Sequence, residues 1–303
     1  MNKKQQQLEE LIQQTPALSR QFVYCADEDV EGGEDDPLEE EKNTKVRGLV
    51  HKYNHEVLVL LTLKCARYCR FCTRRRKTLN DSEIIDENDL KKMAEYIKGR
   101  PEVYEVIISG GDPLTEPKLL KKALQIFSSL SQIKVIRVGT RLHFSKPEAI
   151  NNKVLNALKV VKKQPLYIMA HFEHPAELTG ETIKAIKKLQ SASTMVLSQT
   201  VSLRGVNDDI DLLEELFVKL TQIGVKPYYF LRCDPVKGAE HFIVNFKEER
   251  KIFTELRRRL NGLACPTYVI DAPNGFGKVP VPLDFWDFKS EDYRDFKGKK
   301  IAI

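Results

Sequence analysis

The sequence predicts an α/β fold, in which a parallel sheet curls into a full or partial barrel with helices outside it. Three observations predict it. Short apolar runs recur along the chain, of the continuous kind expected for strands buried on both faces. Helix-period patterns separate most of these runs. Polar and cysteine-bearing motifs sit at their C-terminal ends, the rim on which such barrels carry reactive groups.

In chain order, residues 3–14 read as a short polar helix with Leu8, Leu11 and Ile12 as its apolar stripe. Residues 27–42, with Gly32, Gly33 and Pro37, read as a surface linker or excursion. Strands are expected at 57–63, 103–109, 134–140, 166–172, 195–202, 227–233 and 267–271. Helices are expected at 87–99, 117–130, 147–162, 181–191, 209–223 and 247–261. Residues 289–303 read as a polar tail. The expected division is therefore an N-terminal helix and acidic linker over 1–48, a barrel over 49–288, and the tail.

The 303 residues are 42% hydrophobic and 30% charged, which excludes collagen-like, low-complexity and disulfide-stapled classes. No run approaches the ~18 apolar residues needed to span a bilayer. The N-terminus lacks the apolar core of a signal peptide, so a cytoplasmic protein is expected. The net charge of +6 is unevenly spread. Residues 27–41 hold ten acids and no base; the rest sets 49 bases against 33 acids. Such a surface suits anionic ligands, while no aromatic-interleaved basic motif points to nucleic acid.

Cysteine is the first informative residue type. Three of the six, Cys65, Cys69 and Cys72, lie within eight residues, and Cys25, Cys233 and Cys265 are isolated. Zinc usually takes four ligands from two pairs, and no fourth cysteine or ligand-spaced histidine pair lies close by. Three thiolates on one loop can instead hold three irons of a [4Fe–4S] cluster, leaving the fourth iron open. The isolated cysteines read as inert residues. Further motifs share the same rim: Ser109-Gly110-Gly111-Asp112-Pro113, Gly139-Thr140-Arg141, His171, Gln199, Cys233-Asp234 and Asp271.

The string CARYCRFCTRRR, with ISGGDPL, VGTR, SQTVSLRGVND, YYFLRCD and DAPNGFGK, resembles the lysine 2,3-aminomutase family of radical S-adenosylmethionine (radical SAM) enzymes. The similarity runs from about residue 44 to 285. It implies a partial (β/α)6-type barrel in which Cys65, Cys69 and Cys72 ligate the cluster. Ser109, Gly110, Gly111 and Asp112 would form the turn beside the methionyl group of S-adenosylmethionine. Phe71, His171 and Gln199 match further positions around that cofactor. Lys278 matches the lysine that binds pyridoxal phosphate, with Lys52 and Tyr53 near its phosphate and ring. Arg74 would bind the substrate carboxylate, and Asp234 and Asp271 the side-chain ammonium of lysine. Glu56 departs from the family, which commonly carries arginine there for the phosphate.

The implied reaction moves the amino group of lysine from C2 to C3. The electron would come from a donor such as flavodoxin or ferredoxin, and a homo-oligomer stays open. An aminomutase acting on another amino acid is an alternative, as is β-lysine supply for elongation factor P modification. A third is an iron–sulfur protein that has lost the pyridoxal reaction. The resemblance does not extend to structural zinc, which larger members of the family bind through C-terminal cysteines and one core cysteine; here no cysteine follows Cys265 and Asp209 stands at the matching core position. Replacing Cys25, Cys233 and Cys265 together by serine should leave the iron content of anaerobic protein unchanged, whereas Cys69→Ser should abolish it. Loss of iron from the triple variant would reject the assignment.

Overall fold

The computed structural model describes residues 3–78, 85–272, 277–287, 292–295, 297 and 299–302. Two helices open the chain, α1 (Lys3–Gln14) and α2 (Pro16–Phe22). An antiparallel pair follows, β1 (Thr44–Val46) and β2 (Leu49–Tyr53), with β2 paired in turn to β3 (Glu56–Thr62). The cysteine loop leaves β3 and ends in a single turn, α3 (Arg75–Thr78).

Strands and helices then alternate. They are α4 (Glu87–Lys98), β4 (Glu105–Gly110), α5 (Pro117–Ser129), β5 (Val135–Thr140), α6 (Leu142–Ser145), α7 (Asn152–Leu158), β6 (Leu166–His171), α8 (Gly180–Gln190), β7 (Met195–Ser202), α9 (Ile210–Gln222), β8 (Lys226–Arg232), α10 (Phe246–Arg259) and β9 (Thr267–Ala272). β3 to β9 are parallel neighbours in chain order. β10 (Gly277–Pro280) adds antiparallel to β9. The sheet has ten strands in the order β1 to β10 and is not closed. The barrel is therefore partial, as expected.

Each expected strand is present within two residues of its expected ends. The helices form for local reasons. Pro117 opens α5 at a position whose N–H needs no partner. Asp86, Asn151, Thr179, Asp209 and Asn245 each accept a backbone N–H at a helix start. Asp209 thus caps α9. Leu120, Leu124, Phe127, Leu189, Phe217, Leu220, Phe253 and Leu256 bury the inner faces of four helices against the sheet. Among the described residues no helix is long and apolar enough to cross a membrane.

Two expectations need correction. Residues 27–42 lie largely at the surface, as expected, but they are tied to the protein and are not a free linker. Glu28 and Glu40 are buried, with side chains 2% and 7% exposed. Glu28 pairs with Arg70 and Arg75, Glu40 with Arg74, and Asp36 and Glu41 with Arg76. An isolated acidic run prefers water, but the arginine-rich cysteine loop supplies it with fixed counter-charges. The polar tail also carries structure: β11 (Trp286–Asp287), β12 (Asp292–Arg294) and β13 (Lys300–Ala302) make a small antiparallel sheet.

Burial pushes the Glu28 carboxyl up, but Arg70 and Arg75 outweigh it and hold it below the usual range. A lowered acid stabilises the fold above its unfolded value, and that contribution is lost as pH falls through the folded value. Removing one partner of a buried pair costs about 3–5 kcal/mol. Glu28→Ala should therefore lose that much in urea unfolding at pH 7, and the difference from wild type should shrink as pH drops below the ordinary carboxylate range. An equal loss at every pH would show that the pairing does not carry it.

Candidate active site

Every rim motif converges on one cavity of about 570 Å³. Cys65, Cys69, Cys72, Phe71 and Arg74 line it from the loop after β3. Ser109, Gly110, Gly111 and Asp112 line it from the end of β4, Thr140 and Arg141 from β5, His171 from β6 and Gln199 from β7. Asp234 follows β8, Asp271 ends β9, and Lys52, Tyr53 and Lys278 come from the flanking antiparallel strands. All the expected site residues therefore reach one space. Cys25, Cys233 and Cys265 do not line it.

The cysteine loop is crowded against the glycine turn. Gly111 N donates to Thr62 O at 2.5 Å and Asp112 N to Lys64 O at 2.7 Å. Gly110 has φ of +119°, and a Cβ there would run into Thr62 O; one at Gly111 would strike the Lys64 carbonyl. These glycines are required first because the chain crosses its own backbone. The Asp112 carboxylate accepts from Thr140 Oγ1 at 2.9 Å, Arg141 N at 2.8 Å and Leu114 N at 3.1 Å. Its side chain is thus spent on the protein, tying the end of β4 to the end of β5. His171 and Gln199 are register partners on β6 and β7. Phe71 is buried, with its ring edge-on to Phe242 at 6.0 Å.

Burial pushes all three loop thiols above the usual range, with Cys69 reaching about 11. Arg141 Nη1 lies 2.9 Å from Cys69 Sγ, and Arg74 N lies 3.4 Å from Cys72 Sγ. Among the described residues no three His, Cys, Asp or Glu converge on a point that could hold one metal ion. A cubane makes no such demand, because each thiolate takes its own iron.

Arg74 is the first partial departure. Glu40 occupies Arg74 Nε at 2.9 Å and Nη2 at 2.6 Å, so only the Nη1 edge faces Ser109 Oγ (3.4 Å) and Gly110 O (3.5 Å). Across the cavity, Asp271 is the second. Its Oδ2 accepts from Lys278 Nζ at 2.6 Å and its Oδ1 from Lys52 Nζ at 3.2 Å. Burial pushes Asp271 up, but the two lysines outweigh it and hold it low. Burial pulls Lys278 down, but Asp271 outweighs it and holds the ammonium form. Asp234 differs: no described residue donates to its carboxylate, and burial with the neighbouring Asp271 raises it to about 7.

The Tyr53 hydroxyl is buried against the Lys278 backbone without a well-formed hydrogen bond. Glu56, at the start of β3, does not stand as a bare anion. Arg137 reaches it at 2.6 Å and also pairs with Glu105. The motif residues Asn274, Gly275 and Phe276 lie outside the described residues. Sequence reasoning missed Glu28, Glu40, Glu105 and Arg137, and passed over the Arg141 side chain. The opposed charges of residues 27–41 and of CTRRR were the one signal available for the first two.

Residues 59–216 match the radical SAM superfamily. A putative L-lysine 2,3-aminomutase of Aquifex aeolicus is 41% identical over 86% of this chain and 70% of its own. The chain belongs to the lysine 2,3-aminomutase family of radical SAM proteins. The L-lysine 2,3-aminomutase of Methanococcus maripaludis is 36% identical over 87% of this chain and 61% of its own. A glutamate 2,3-aminomutase of Clostridioides difficile is 33% identical over 88% and 64%. The chain spans about three fifths of the length of the first L-lysine 2,3-aminomutases it matches. In fold, a radical SAM methyltransferase from Sphaerobacter thermophilus superposes with a TM-score of 0.54 at 17% identity, covering 74% of this chain and 68% of that one.

The family implies a [4Fe–4S] cluster, S-adenosylmethionine and pyridoxal phosphate. The three thiols on one cavity wall fit the first. The lysine held at Asp271, beside an underused Tyr53 hydroxyl, fits the carbonyl end of the third. If Lys278 is the attachment point, borohydride reduction of protein loaded with pyridoxal phosphate should place the adduct on the Lys278 peptide by mass spectrometry. Lys226 donates to the Gly262, Leu263 and Cys265 carbonyls and should stay unlabelled. An adduct on Lys52 or Lys226 would overturn the attachment.

Proposed function

We propose that this protein is a lysine 2,3-aminomutase, an isomerase that exchanges L-lysine and β-lysine by a radical 1,2-amino shift. One observation carries the reading: a single cavity has the cysteine triplet on one wall and Lys278, Asp271 and Asp234 on another. When bound, the cluster supplies the electron that cleaves S-adenosylmethionine, and pyridoxal phosphate supplies an electrophilic carbonyl for the substrate amine.

The chain's own residues do the rest. Cys65, Cys69 and Cys72 hold the metal. His171 and Gln199, side by side on β6 and β7, line the same cavity as Phe71 and are available to S-adenosylmethionine. The proton that Lys278 must shed has Asp271 Oδ2 at 2.6 Å as its acceptor. Lys52 stays on the other oxygen of Asp271 and keeps that carboxylate oriented. Arg74, locked side-on by Glu40, offers its Nη1 edge to the substrate carboxylate. Asp234 has no resident cation and takes the distal ammonium of lysine. A carboxylate side chain such as that of glutamate would meet Asp234 and Asp271 with like charge.

Asp234 sits near 7, so below that pH it is protonated, and a cation must release the proton to bind. Lysine affinity should therefore rise with pH through about 7 and then level. Asp234→Asn should abolish that pH dependence. It should also raise the lysine Michaelis constant by roughly two powers of ten or more, the usual cost of unpairing a buried ion pair. Cleavage of S-adenosylmethionine should persist in the variant. Steady-state kinetics with product identification over roughly pH 6 to 8 decide the point. Wild-type lysine kinetics in the variant would reject Asp234 as the ammonium site, and a preference of the wild type for glutamate would reject lysine as the substrate.

A further inference from the structure

We propose that Arg141 sets the reduction potential of the cluster by donating from its guanidinium to the Cys69 thiolate, and that Gln21 and Glu177 position it to do so. The proposal rests on the reading above only in that Cys69 ligates the cluster.

The guanidinium is buried and held at both terminal nitrogens, while its Nε has no hydrogen-bond partner. Nη1 lies 2.9 Å from Cys69 Sγ. Nη2 donates to Gln21 Oε1 and, at 3.0 Å, to Glu177 Oε1. The rings of Phe22 and Phe71 flank Cζ at 4.6 and 5.6 Å. Arg141 is 8% exposed, and Gln21 and Glu177 are fully buried. Neither partner is free to turn. Gln21 Nε2 donates to Ala17 O, which fixes the amide with its oxygen toward Arg141. Glu177 Oε1 also accepts from Glu173 N and His174 N, each at 3.0 Å, whereas Oε2 is buried without a partner; burial raises the carboxyl, and Arg141 and these donors oppose the rise.

Reducing the cluster by one electron adds negative charge that is shared with its sulfur ligands. A buried cation donating to one of those sulfurs favours the reduced form, because little water screens it. The effect depends on the charge at Arg141, so the charge of its partners should also be felt. The arrangement gives the N-terminal helices a task as well. Gln21 lies on α2, outside residues 59–216, and Arg70 N of the cluster loop donates to Gln21 O at 2.8 Å.

The test is an anaerobic redox titration of the iron-loaded protein, followed by electron paramagnetic resonance. Two near-isosteric variants should move the midpoint in opposite directions. Glu177→Gln removes a negative charge beside Arg141 and should shift it positive. Gln21→Glu adds one and should shift it negative. Arg141→Gln should also shift it negative, by about a tenfold change in the reduction equilibrium, or 59 mV for one electron. A purely structural role would not separate the first two variants by sign. Equal midpoints in Glu177→Gln and Gln21→Glu at wild-type iron content, or shifts of the same sign, would overturn the proposal. Wild-type protein that binds no cluster would instead refute the reading on which it rests.

Discussion

The site depends on the pairing between the acidic N-terminal segment and the arginines of the cysteine loop. That loop packs Arg67, Arg70, Arg74, Arg75 and Arg76 among and beside the three cysteines. Folded against a barrel without counter-charges, those cations would carry a large desolvation cost. Glu9, Glu28, Asp36, Glu40 and Glu41 supply the counter-charges, and Glu28 serves two arginines at once. The segment from Glu28 to Glu41 is therefore a strap over the loop rather than a linker. Fixed guanidinium groups in turn fix the backbone from which the thiols project.

A second constraint lies across the rim. The β4 turn crosses the backbone that leaves β3 so closely that side chains at 110 and 111 cannot be accommodated. Asp112 then reaches sideways to Thr140 and Arg141. One short motif thereby joins the ends of three neighbouring strands, and Arg141 extends the chain of contacts to Cys69, Gln21 and Glu177. The wall beside the cysteine loop is built from this backbone crossing and this buried network more than from side chains aimed at a ligand.

The opposite wall is governed by charge balance. Asp271 is shared by two lysines, whereas Asp234 has none and burial beside Asp271 raises its carboxyl to about 7. Deeper along the strands, Glu56 and Glu105 share Arg137. Any repulsion that a bare Glu56 would exert on a phosphate is thereby moderated, since the carboxylate is already paired. That corner still holds two acids for one base, a balance unlike that of a site built around an arginine at position 56.

The parallel strands, the helices between them and the convergence of the motifs on one rim were legible in the sequence. Each is written locally, in apolar runs such as 57–63 and 195–202 and in cysteines spaced by three and two residues. The antiparallel additions β1, β2 and β10 were not, because short half-exposed strands at a sheet edge carry no strong periodicity. The acidic run was misread for a related reason. Charge alone signals solvent, and only folding brings Glu40 to Arg74, 34 positions away. Local sequence determined which residues line the cavity, since the fold delivers every strand end to one rim. Tertiary structure alone decided which of them are already occupied: Arg74 by Glu40, Asp271 by Lys278 and Lys52, and Asp112 by Thr140 and Arg141. Hydrogen bonds between residues so distant along the chain leave no pattern in either neighbourhood.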